Sequence, residues 1–297
     1  MGFAHQEQLE PIFLRAGLLG DADLNGPKTL PCRQAEQIAA DLRVPLREVE
    51  CFALDRGIAP LRYASNLGCF TASGQKKLLQ SRVLVVGLGG LGGHVVEQLA
   101  RAGVGRIAAA DPDVFEETNL NRQLFCTSAS LGMPKVLEVA RQLRQINPAV
   151  EFSGYAVKFQ QLGDEAFDDL DLVFDCLDCV ADRLALEVKC SSTNRVLIHA
   201  AVGGWYGQVG IAFPNANLVR KACGTQSHGV EKLLGNPPFA PAVIGSLAAA
   251  LGIKVLLGRT LPQGPCLRFI DLLDDEWEDI HFSPCEGTAR LPWFLTP

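Results

Sequence analysis

Residues 81–93 read SRVLVVGLGGLGG, in which an apolar, β-branched run leads into a turn rich in glycine. Gly87, Gly89 and Gly92 have the G-x-G-x-x-G spacing, with an expected strand before them and an expected helix after them. Glycine permits a tight turn and a close approach of backbone N–H groups to phosphate, and the helix dipole adds favourable positive potential. The stretch therefore predicts a bound nucleotide, either a dinucleotide that carries hydride or an ATP that is consumed.

The sequence after Pro60 alternates between short apolar runs and amphipathic stretches. It predicts strands at 83–86, 106–110, 172–176 and 196–201, and helices at 91–102, 134–145 and 184–191. This alternation predicts an α/β fold with a doubly wound, mainly parallel sheet that helices cover on both faces. Ligands of such sheets bind at the carboxyl ends of the strands, and Asp111 and Asp178 are expected there, on the same rim as the glycine-rich turn.

Residues 1–61 are predicted to form a small N-terminal helical domain, followed by the nucleotide-binding domain over 62–297. Helical spacing begins at Arg33, a turn follows at 43–45, and a second helix is expected to end at Gly57. Two short helices with a tight turn resemble a helix-turn-helix. Residues 33–56 hold four arginines against five acidic residues, however, so the basic face that DNA binding requires is missing. We expect a packing or partner-binding role.

The composition favours a cytoplasmic protein that binds no nucleic acid. The formal net charge is -6, whereas a general nucleic-acid binder is usually basic. The first residues, MGFAHQEQLEP, lack the basic start and apolar core of a signal peptide. The ten cysteines are scattered along the chain, which favours reduced thiols over a disulfide framework.

Residues 240–258 are almost wholly apolar and nearly long enough to span a bilayer. Lys254 interrupts this run, small residues dominate it, and Pro241 and Gly258 bound it as they would bound a globular helix. We therefore expect a helix buried in the core or at a subunit interface, and no membrane partner.

The charged residues beyond the turn favour ATP over a hydride-carrying dinucleotide. Residues 118–123 read TNLNRQ, and Lys135 follows in LGMPK. A triphosphate that loses pyrophosphate develops negative charge on the bridging oxygen, which Arg122 and Lys135 can stabilise. Asp178 suits a magnesium ion, because magnesium prefers carboxylate and water oxygens.

Each of these residues also has a purely structural interpretation. Arg122 could pair with Asp111 or Asp113, and Lys135 could be a solvated helix start. Asp175 or Asp178 could cap a helix. Their joint occurrence, in this order and on one rim, favours the nucleotide site.

These stretches together resemble the ThiF/MoeB/HesA family of ubiquitin-activating-enzyme-like adenylyltransferases. The matching pieces are VLVVGLGGLGG, AADPD, TNLNRQ, GMPK, RQINP, DCLD with Arg183, GQVGIAFP and PAVIGSLAAALGIKVLLG. The resemblance covers most of residues 62–297 and implies a Rossmann-like fold, usually in a homodimer, that binds ATP with magnesium. The implied reaction adenylates the C-terminal glycine of a small ubiquitin-like sulfur-carrier protein ending in Gly-Gly. Molybdopterin synthesis, thiamin synthesis or a related sulfur transfer is the implied context.

The resemblance also implies the residues of the site. Those expected to bind ATP are Gly87, Gly89, Gly90, Gly92, Asp111, Asp113, Asn119, Arg122, Gln123, Lys135 and Asp178. Gly90 would lie against the phosphates, and Asp111 would hold the ribose. Arg122, Lys135 and Asp178 would be catalytic, with Asp178 binding the magnesium ion. No general base is expected, because the substrate carboxylate is already ionised at pH 7.

Two departures from the family pattern concern a cation and a zinc site. The family has Arg-Tyr-x-Arg-Gln near the start of its domain, where its second arginine reaches the triphosphate of the partner subunit; here that position is Ser65. Many relatives carry two C-x-x-C pairs. In this sequence each pair is reduced to one cysteine, Cys223 in the first and Cys285 in the second. Two thiols cannot close a four-ligand site, so we expect no zinc.

The remaining cysteines of interest have structural and reactive interpretations. Cys176 and Cys179 have C-x-x-C spacing but flank Asp178, so we expect them to pack around it. Cys223 lies in the loop 215–240 that is expected to cross over the active site, near His228, and is a possible thiol nucleophile. A leftover of the zinc region is the favoured interpretation of Cys223.

Three alternatives to the adenylyltransferase stay open. An ATP-binding regulatory pseudoenzyme would explain Ser65 and the eroded zinc site. An enzyme like the threonylcarbamoyl-adenosine dehydratases would adenylate another acid, although the acidic balance does not favour tRNA. A nicotinamide dehydrogenase is disfavoured by Arg122, Lys135 and Asp178.

Overall fold

A computed structural model describes residues 6–15, 28–223, 234–260 and 266–282. Its strands are β1 (Thr29–Leu30), β2 (Ala59–Pro60), β3 (Arg82–Val86), β4 (Arg106–Ala110), β5 (Glu151–Tyr155), β6 (Leu172–Asp175), β7 (Leu197–Gly203), β8 (Tyr206–Ala212), β9 (Cys266–Asp271) and β10 (Glu276–His281). Its helices are α1 (Gln6–Arg15), α2 (Cys32–Leu42), α3 (Leu46–Asp55), α4 (Leu67–Gln80), α5 (Gly90–Ala102), α6 (Lys135–Ile146), α7 (Val180–Ser192), α8 (Leu218–Cys223) and α9 (Phe239–Leu257).

Eight of these strands form one sheet, in the order β10-β9-β8-β7-β6-β3-β4-β5. Five neighbouring strands of this sheet pair in parallel, namely β7, β6, β3, β4 and β5. Strands β8, β9 and β10 extend the sheet beyond β7 with antiparallel pairing. The predicted α/β fold with a mainly parallel sheet is confirmed. From β3 the chain builds outwards to β4 and β5, then returns to add β6 and β7 on the other side. β3 and β6 therefore flank the switch point where ligands of such sheets bind.

Strand β3 shows why the sheet is buried on both faces. Its Val83 and Val85 pack into one apolar cluster with α5, α6 and α9, and its Leu84 and Val86 pack into another with α7 and α8. Alternate side chains of a strand point to opposite faces, so an uninterrupted apolar run fits a sheet covered twice. Each fully buried side chain of this size contributes about 1.5–3 kcal/mol.

The predicted helices and strands are present, and their ends shift. α7 begins at Val180, four residues before the predicted start, because Val180 is buried and continues the apolar face towards the sheet. β5 and β8–β10 were not predicted as strands. All five residues of β5 are at least partly exposed, so the strand lacks the apolar run that marks its neighbours.

The two predicted N-terminal helices are confirmed as α2 and α3, and α1 and the short parallel pair of β1 with β2 join them. Apolar residues such as Phe13, Ile38 and Phe52 form a cluster of their own. Gly57, two residues after the last residue of α3, closes the helix as expected and has a φ of +70°. Its N–H donates to the Leu54 carbonyl, and the next N–H donates to that of Ala53, which is a Schellman ending. A domain boundary at residue 61 stays a prediction.

Arg62 joins the N-terminal helices to the sheet region. Its Nε lies 2.9 Å from Glu50 Oε1 on α3, and its Nη1 donates to Asn147 Oδ1, 2.6 Å away, just after α6. Asn147 in turn donates to the hydroxyl of Tyr63 and to the carbonyl of Ala100, at 2.8 Å each. Glu50, Tyr63 and Asn147 are all buried, so these polar contacts connect α3 to α5 and α6 inside the protein.

The buried Glu50 predicts a pH-dependent stability. Burial raises the pKa of Glu50 from 4.5 to about 7, although Arg62 opposes the rise. Between these values the folded chain holds a proton that the unfolded chain has lost, so the stabilisation is complete below pH 4.5 and disappears as the pH rises through 7. The shift corresponds to about 3 kcal/mol. We expect Glu50→Gln to flatten the dependence of urea midpoint on pH between 5 and 8. An unchanged pH slope in this variant would show that Glu50 does not titrate there.

Helix α9 is the apolar stretch that the sequence placed in the core or at an interface. It packs on α5, β7 and β8, and Ile244 and Ala248 belong to the main core cluster. In the described part of the chain it is the one helix with the length and composition to cross a membrane, criteria that core helices also meet. Within its most apolar window 44% is buried, and most of the remaining residues of α9 are half-buried against the core, with only Ala250 and Lys254 exposed.

Candidate active site

The glycine-rich turn lies where β3 ends and α5 begins. Gly87 has a φ of +92°, and a Cβ there would lie 2.6 Å from the carbonyl oxygen of Cys176. A Cβ at Gly92 would overlap the carbonyl of Gly87. Side chains are therefore excluded at both positions by the backbone itself. The first N–H groups of α5 have no partner within the helix, and no side chain caps it at Gly89, so these donors can face an anion.

Asp111, at the end of β4, holds this turn in place. Its Oδ2 accepts from the N–H of Leu88 at 2.6 Å, and its Oδ1 accepts from the N–H of Asp113 at 2.9 Å. Lys135 Nζ lies 3.7 Å from Oδ2. Burial raises the pKa of Asp111, and Lys135 with the two N–H donors only partly offsets that rise.

The predicted cations occupy the same rim. Lys135, the first residue of α6, is buried, and its Nζ lies 2.9 Å from Asp113 Oδ2. Arg122 Nη1 donates at 2.9 Å to the Thr118 carbonyl and to Asn121 Oδ1. In the described part of the chain Arg122 forms no ion pair with a carboxylate. Lys135, and not Arg122, lies beside Asp111 and Asp113, so Lys135 is not a solvated helix start. Arg122 is held by hydrogen bonds within its own loop.

Gln123 supplies a buried polar atom without a protein partner. The residue is 7% exposed, and no hydrogen bond reaches its Oε1 within the described residues. Its Nε2 lies 3.7 Å from where a Cβ on Gly89 would be. Buried polar atoms are nearly always hydrogen-bonded in folded proteins, so Gln123 Oε1 is able to accept a hydrogen bond from a ligand or a water in the pocket.

These residues surround one pocket beside the switch point between β3 and β6. Of the residues predicted to bind ATP, those on its wall are Gly87, Gly89, Gly90, Asp113, Arg122, Gln123, Lys135 and Asp178. Asp178 is exposed in the turn between β6 and α7. Gly92, Asp111 and Asn119 lie behind the wall, and Asn119 Oδ1 accepts from the N–H of Glu116 at 3.1 Å within its own loop. Their contacts with ATP stay predictions.

The pocket also contains residues that the sequence did not single out as site residues. Arg183 on α7 lines it, and so do Val202, Asn236 and Pro241 from the far end of the chain. Asn121 Nδ2 donates to the Asn236 carbonyl at 3.0 Å, which ties the segment before α9 to the TNLNRQ loop. Only Arg183 has a local signal, because it follows DCLD in the first turns of α7.

The cysteines near the pocket have different surroundings. Cys176 is buried against the glycine-rich turn, and burial raises the pKa of its thiol, whereas packing of both cysteines around the exposed Asp178 is not observed. Cys179 is exposed. Cys223 ends α8, whose N-terminal N–H groups at Val219 and Arg220 donate to Glu187. His228 and Cys285 lie outside the described residues. Within those residues no three metal-binding side chains cluster, and the expectation of no zinc stays a prediction.

Comparison with known proteins identifies the family. The model of the ThiF family matches residues 63–287, which is most of the chain. The chain belongs to the ThiF family. Among its relatives, the sulfur carrier protein ThiS adenylyltransferase of Escherichia coli strain K12 is 32% identical over 222 residues, covering 72% of this chain and 87% of the relative. The molybdopterin-synthase adenylyltransferase of Salmonella typhimurium strain LT2 is 36% identical over 219 residues, covering 71% and 87%.

Solved structures extend the likeness of this ThiF-family chain at the level of the fold. The crystal structure of Escherichia coli MccB with MccA-N7isoASN superposes with a TM-score of 0.64 at 19% sequence identity. The superposition covers 86% of this chain and 81% of that one. The predicted fold class and family are therefore both confirmed.

Proposed function

We propose that this chain is an ATP-dependent adenylyltransferase that activates the C-terminal carboxylate of a small ubiquitin-like sulfur-carrier protein ending in Gly-Gly. The observation that carries this proposal is the pocket that Arg122, Lys135 and Asp178 line together with the glycine-rich turn. Relatives named as adenylyltransferases of a sulfur carrier and of molybdopterin synthase support the reaction and its substrate class.

The residues present fit ATP with magnesium. The N–H groups at the start of α5 and the unpartnered Gln123 Oε1 offer polar contacts to a nucleotide. Asp178 and Asp113 supply exposed carboxylates on the same wall. Magnesium usually keeps several waters and binds through one or two carboxylates plus substrate phosphates, so a cluster of three protein ligands is not required. When bound, the ion would neutralise charge on the phosphates.

The chain's own residues can perform the reaction by alignment and charge neutralisation. The carrier's carboxylate is ionised at pH 7 and needs no general base. Its oxygen attacks the α-phosphorus, the bond to the bridging oxygen breaks, and pyrophosphate leaves with the electron pair. We assign Arg122 and Lys135 to the charge that develops on this leaving group. Arg122 provides a planar fork of donors, and Lys135 a compact charge.

The proposal includes a homodimer in the cytoplasm. The homodimer is what the resemblance to the ThiF/MoeB/HesA family implies for this ThiF-family chain. Cysteines in the described part of the chain such as Cys51, Cys176 and Cys190 are free thiols, which suits a reducing compartment. Thiamin or molybdopterin synthesis is the proposed context.

One observation favours a second candidate, a nucleotide-binding regulatory protein without turnover. Ser65 stands where the family pattern has an arginine, and loss of a cation at such a site can slow phosphoryl transfer by several powers of ten. Arg62, the nearest arginine in the sequence, is held by Glu50 and Asn147 at the junction with the N-terminal helices. It is therefore not available to replace the missing side chain.

Formation of the adenylate separates these candidates. The purified chain is incubated with ATP, magnesium and small carriers that end in Gly-Gly, beside matched carriers lacking the last glycine. We expect intact-mass spectrometry to detect an AMP adduct on the full-length carrier alone. ATP binding without an adduct on any carrier would favour the regulatory protein. In a parallel incubation with tRNA in place of the carriers, an AMP adduct on an acid borne by tRNA would favour the threonylcarbamoyl-adenosine dehydratase-like alternative.

A further inference from the structure

A buried polar cluster lies directly behind the pocket. It consists of Asp175 at the end of β6, Arg183 on α7, His199 on β7 and Gln208 on β8. Asp175 and His199 are wholly buried. Asp175 Oδ2 lies 2.7 Å from His199 Nδ1 and accepts from Arg183 Nη1 at 3.1 Å. His199 Nε2 lies 3.0 Å from Gln208 Nε2.

The network assigns the proton of the imidazole. Burial alone would raise the pKa of Asp175, but Arg183 and His199 together hold it below its ordinary value. An ionised Asp175 can only accept, so His199 Nδ1 carries the hydrogen and donates it. As the amide of Gln208 is oriented, its Nε2 lies beside His199 Nε2 and donates to it. Asp175 and Arg183 balance each other's charge, and His199 links Asp175 to Gln208.

This cluster controls the turn that carries Asp178. The second oxygen of Asp175 accepts from the N–H of Leu177 at 3.1 Å. The adjacent N–H of Cys176 donates to the Val86 carbonyl at the end of β3, at 2.9 Å. Two consecutive backbone groups of the turn are thus fixed, one by the sheet and one by Asp175. Asp178, the next residue after them, emerges into the pocket.

Asp175 has little freedom of its own because three groups hold it. Arg183 Nη1 also donates to the Ala200 carbonyl at 2.7 Å, so the guanidinium is tied to β7 as well as to the carboxylate. Asp175 and His199 stand opposite each other in the parallel pairing of β6 with β7. The imidazole therefore supports the carboxylate from the neighbouring strand, at a fixed register.

We propose that His199 is a positioning residue for the pocket. His199 holds Asp175, and Asp175 fixes the backbone of the turn at 175–178. This turn would place the carboxylate of Asp178 where it can bind the magnesium ion of the nucleotide complex. This inference rests on the proposed function, since it takes Asp178 as the magnesium ligand. Groups hydrogen-bonded directly to a metal ligand typically account for 10–100-fold in metal affinity, and His199, which acts through Asp175, should contribute at the lower end of that range.

Calorimetric titration of the full chain with a non-hydrolysable ATP analogue, with and without magnesium, tests this role. For wild type we expect tighter binding when magnesium is present. His199→Ala should reduce that magnesium-dependent gain by about 10-fold or more and leave metal-free binding unchanged. His199→Asn can still donate one hydrogen bond to Asp175 and should recover most of the gain. Gln208→Leu, which removes only the outer hydrogen bond, should show a smaller loss and serves if His199→Ala does not fold.

The titration distinguishes failure of this inference from failure of the proposed function. If wild type gains affinity from magnesium and both His199→Ala and Gln208→Leu keep the full gain, His199 is structural only and the inference is overturned. A lowered melting temperature with the gain intact would overturn it as well. If the wild-type chain itself gains nothing from magnesium, the assignment of Asp178 is wrong and both proposals fall.

Discussion

Arg122→Ala and Asp178→Ala are each expected to abolish carrier-dependent ATP–pyrophosphate exchange while the fold survives. Arg122 lies on the pocket wall, held by hydrogen bonds within its own loop, and Asp178 is exposed in its turn, so neither side chain supports the core. Removing a cation that stabilises the transferring phosphates costs about 10³-fold or more in rate. Exchange is measured with labelled pyrophosphate, and the melting temperature reports the fold.

Matched controls come from charged residues outside the pocket. Arg101→Ala removes a guanidinium from the exposed side of α5, where it pairs with Glu97 four residues away. Asp182→Ala removes a carboxylate from the first turn of α7, close in sequence to Asp178. Both controls should keep exchange within a few-fold of wild type. Full exchange in both Arg122→Ala and Asp178→Ala would be incompatible with the adenylyltransferase assignment.

Arg62→Ala is expected to destabilise the chain by about 3 kcal/mol at pH 8, measured by urea unfolding. The substitution leaves the carboxyl of Glu50 buried without its cation and removes the hydrogen bond to Asn147. At pH 5.5 the loss should be smaller, because the carboxyl escapes the penalty by taking up a proton, in line with its pKa of about 7 beside Arg62.

The double variant Arg62→Ala/Glu50→Gln separates the cost of leaving the Glu50 charge unpaired from the other effects of removing the Arg62 side chain. A neutral amide needs no counter-ion, so the double variant should be more stable at pH 8 than Arg62→Ala alone. An equal loss at both pH values, with no recovery in the double variant, would mean that Arg62 acts through its hydrogen bond to Asn147 and not through Glu50.

The parallel part of the sheet and the glycine-rich turn could be predicted because their signals are local. A buried parallel strand such as β3 is a continuous apolar run, and Gly87 and Gly92 are required by their own backbone surroundings. Arg122 and Lys135 could be placed on the rim because each follows closely on a strand or begins a helix. β5 could not be predicted, since its partly exposed residues show no apolar run.

Contacts between distant parts of the chain account for what the sequence did not reveal. Asn236 reaches the pocket through a hydrogen bond from Asn121, more than a hundred residues earlier. His199 meets Asp175 only because β6 and β7 are neighbours in register. Arg62 is the arginine nearest in sequence to Ser65, and only the packing of α3 shows that Glu50 already engages it. Such pairings depend on the assembled sheet and have no local sequence pattern.

Exchange of labelled pyrophosphate into ATP by the wild-type chain tests the central claim most directly. The claim predicts rapid incorporation of label when magnesium and a carrier ending in Gly-Gly are both present, and none when either is left out. A chain that binds ATP but incorporates no label with any such carrier would contradict it, and the site would then be one that binds a nucleotide without breaking it.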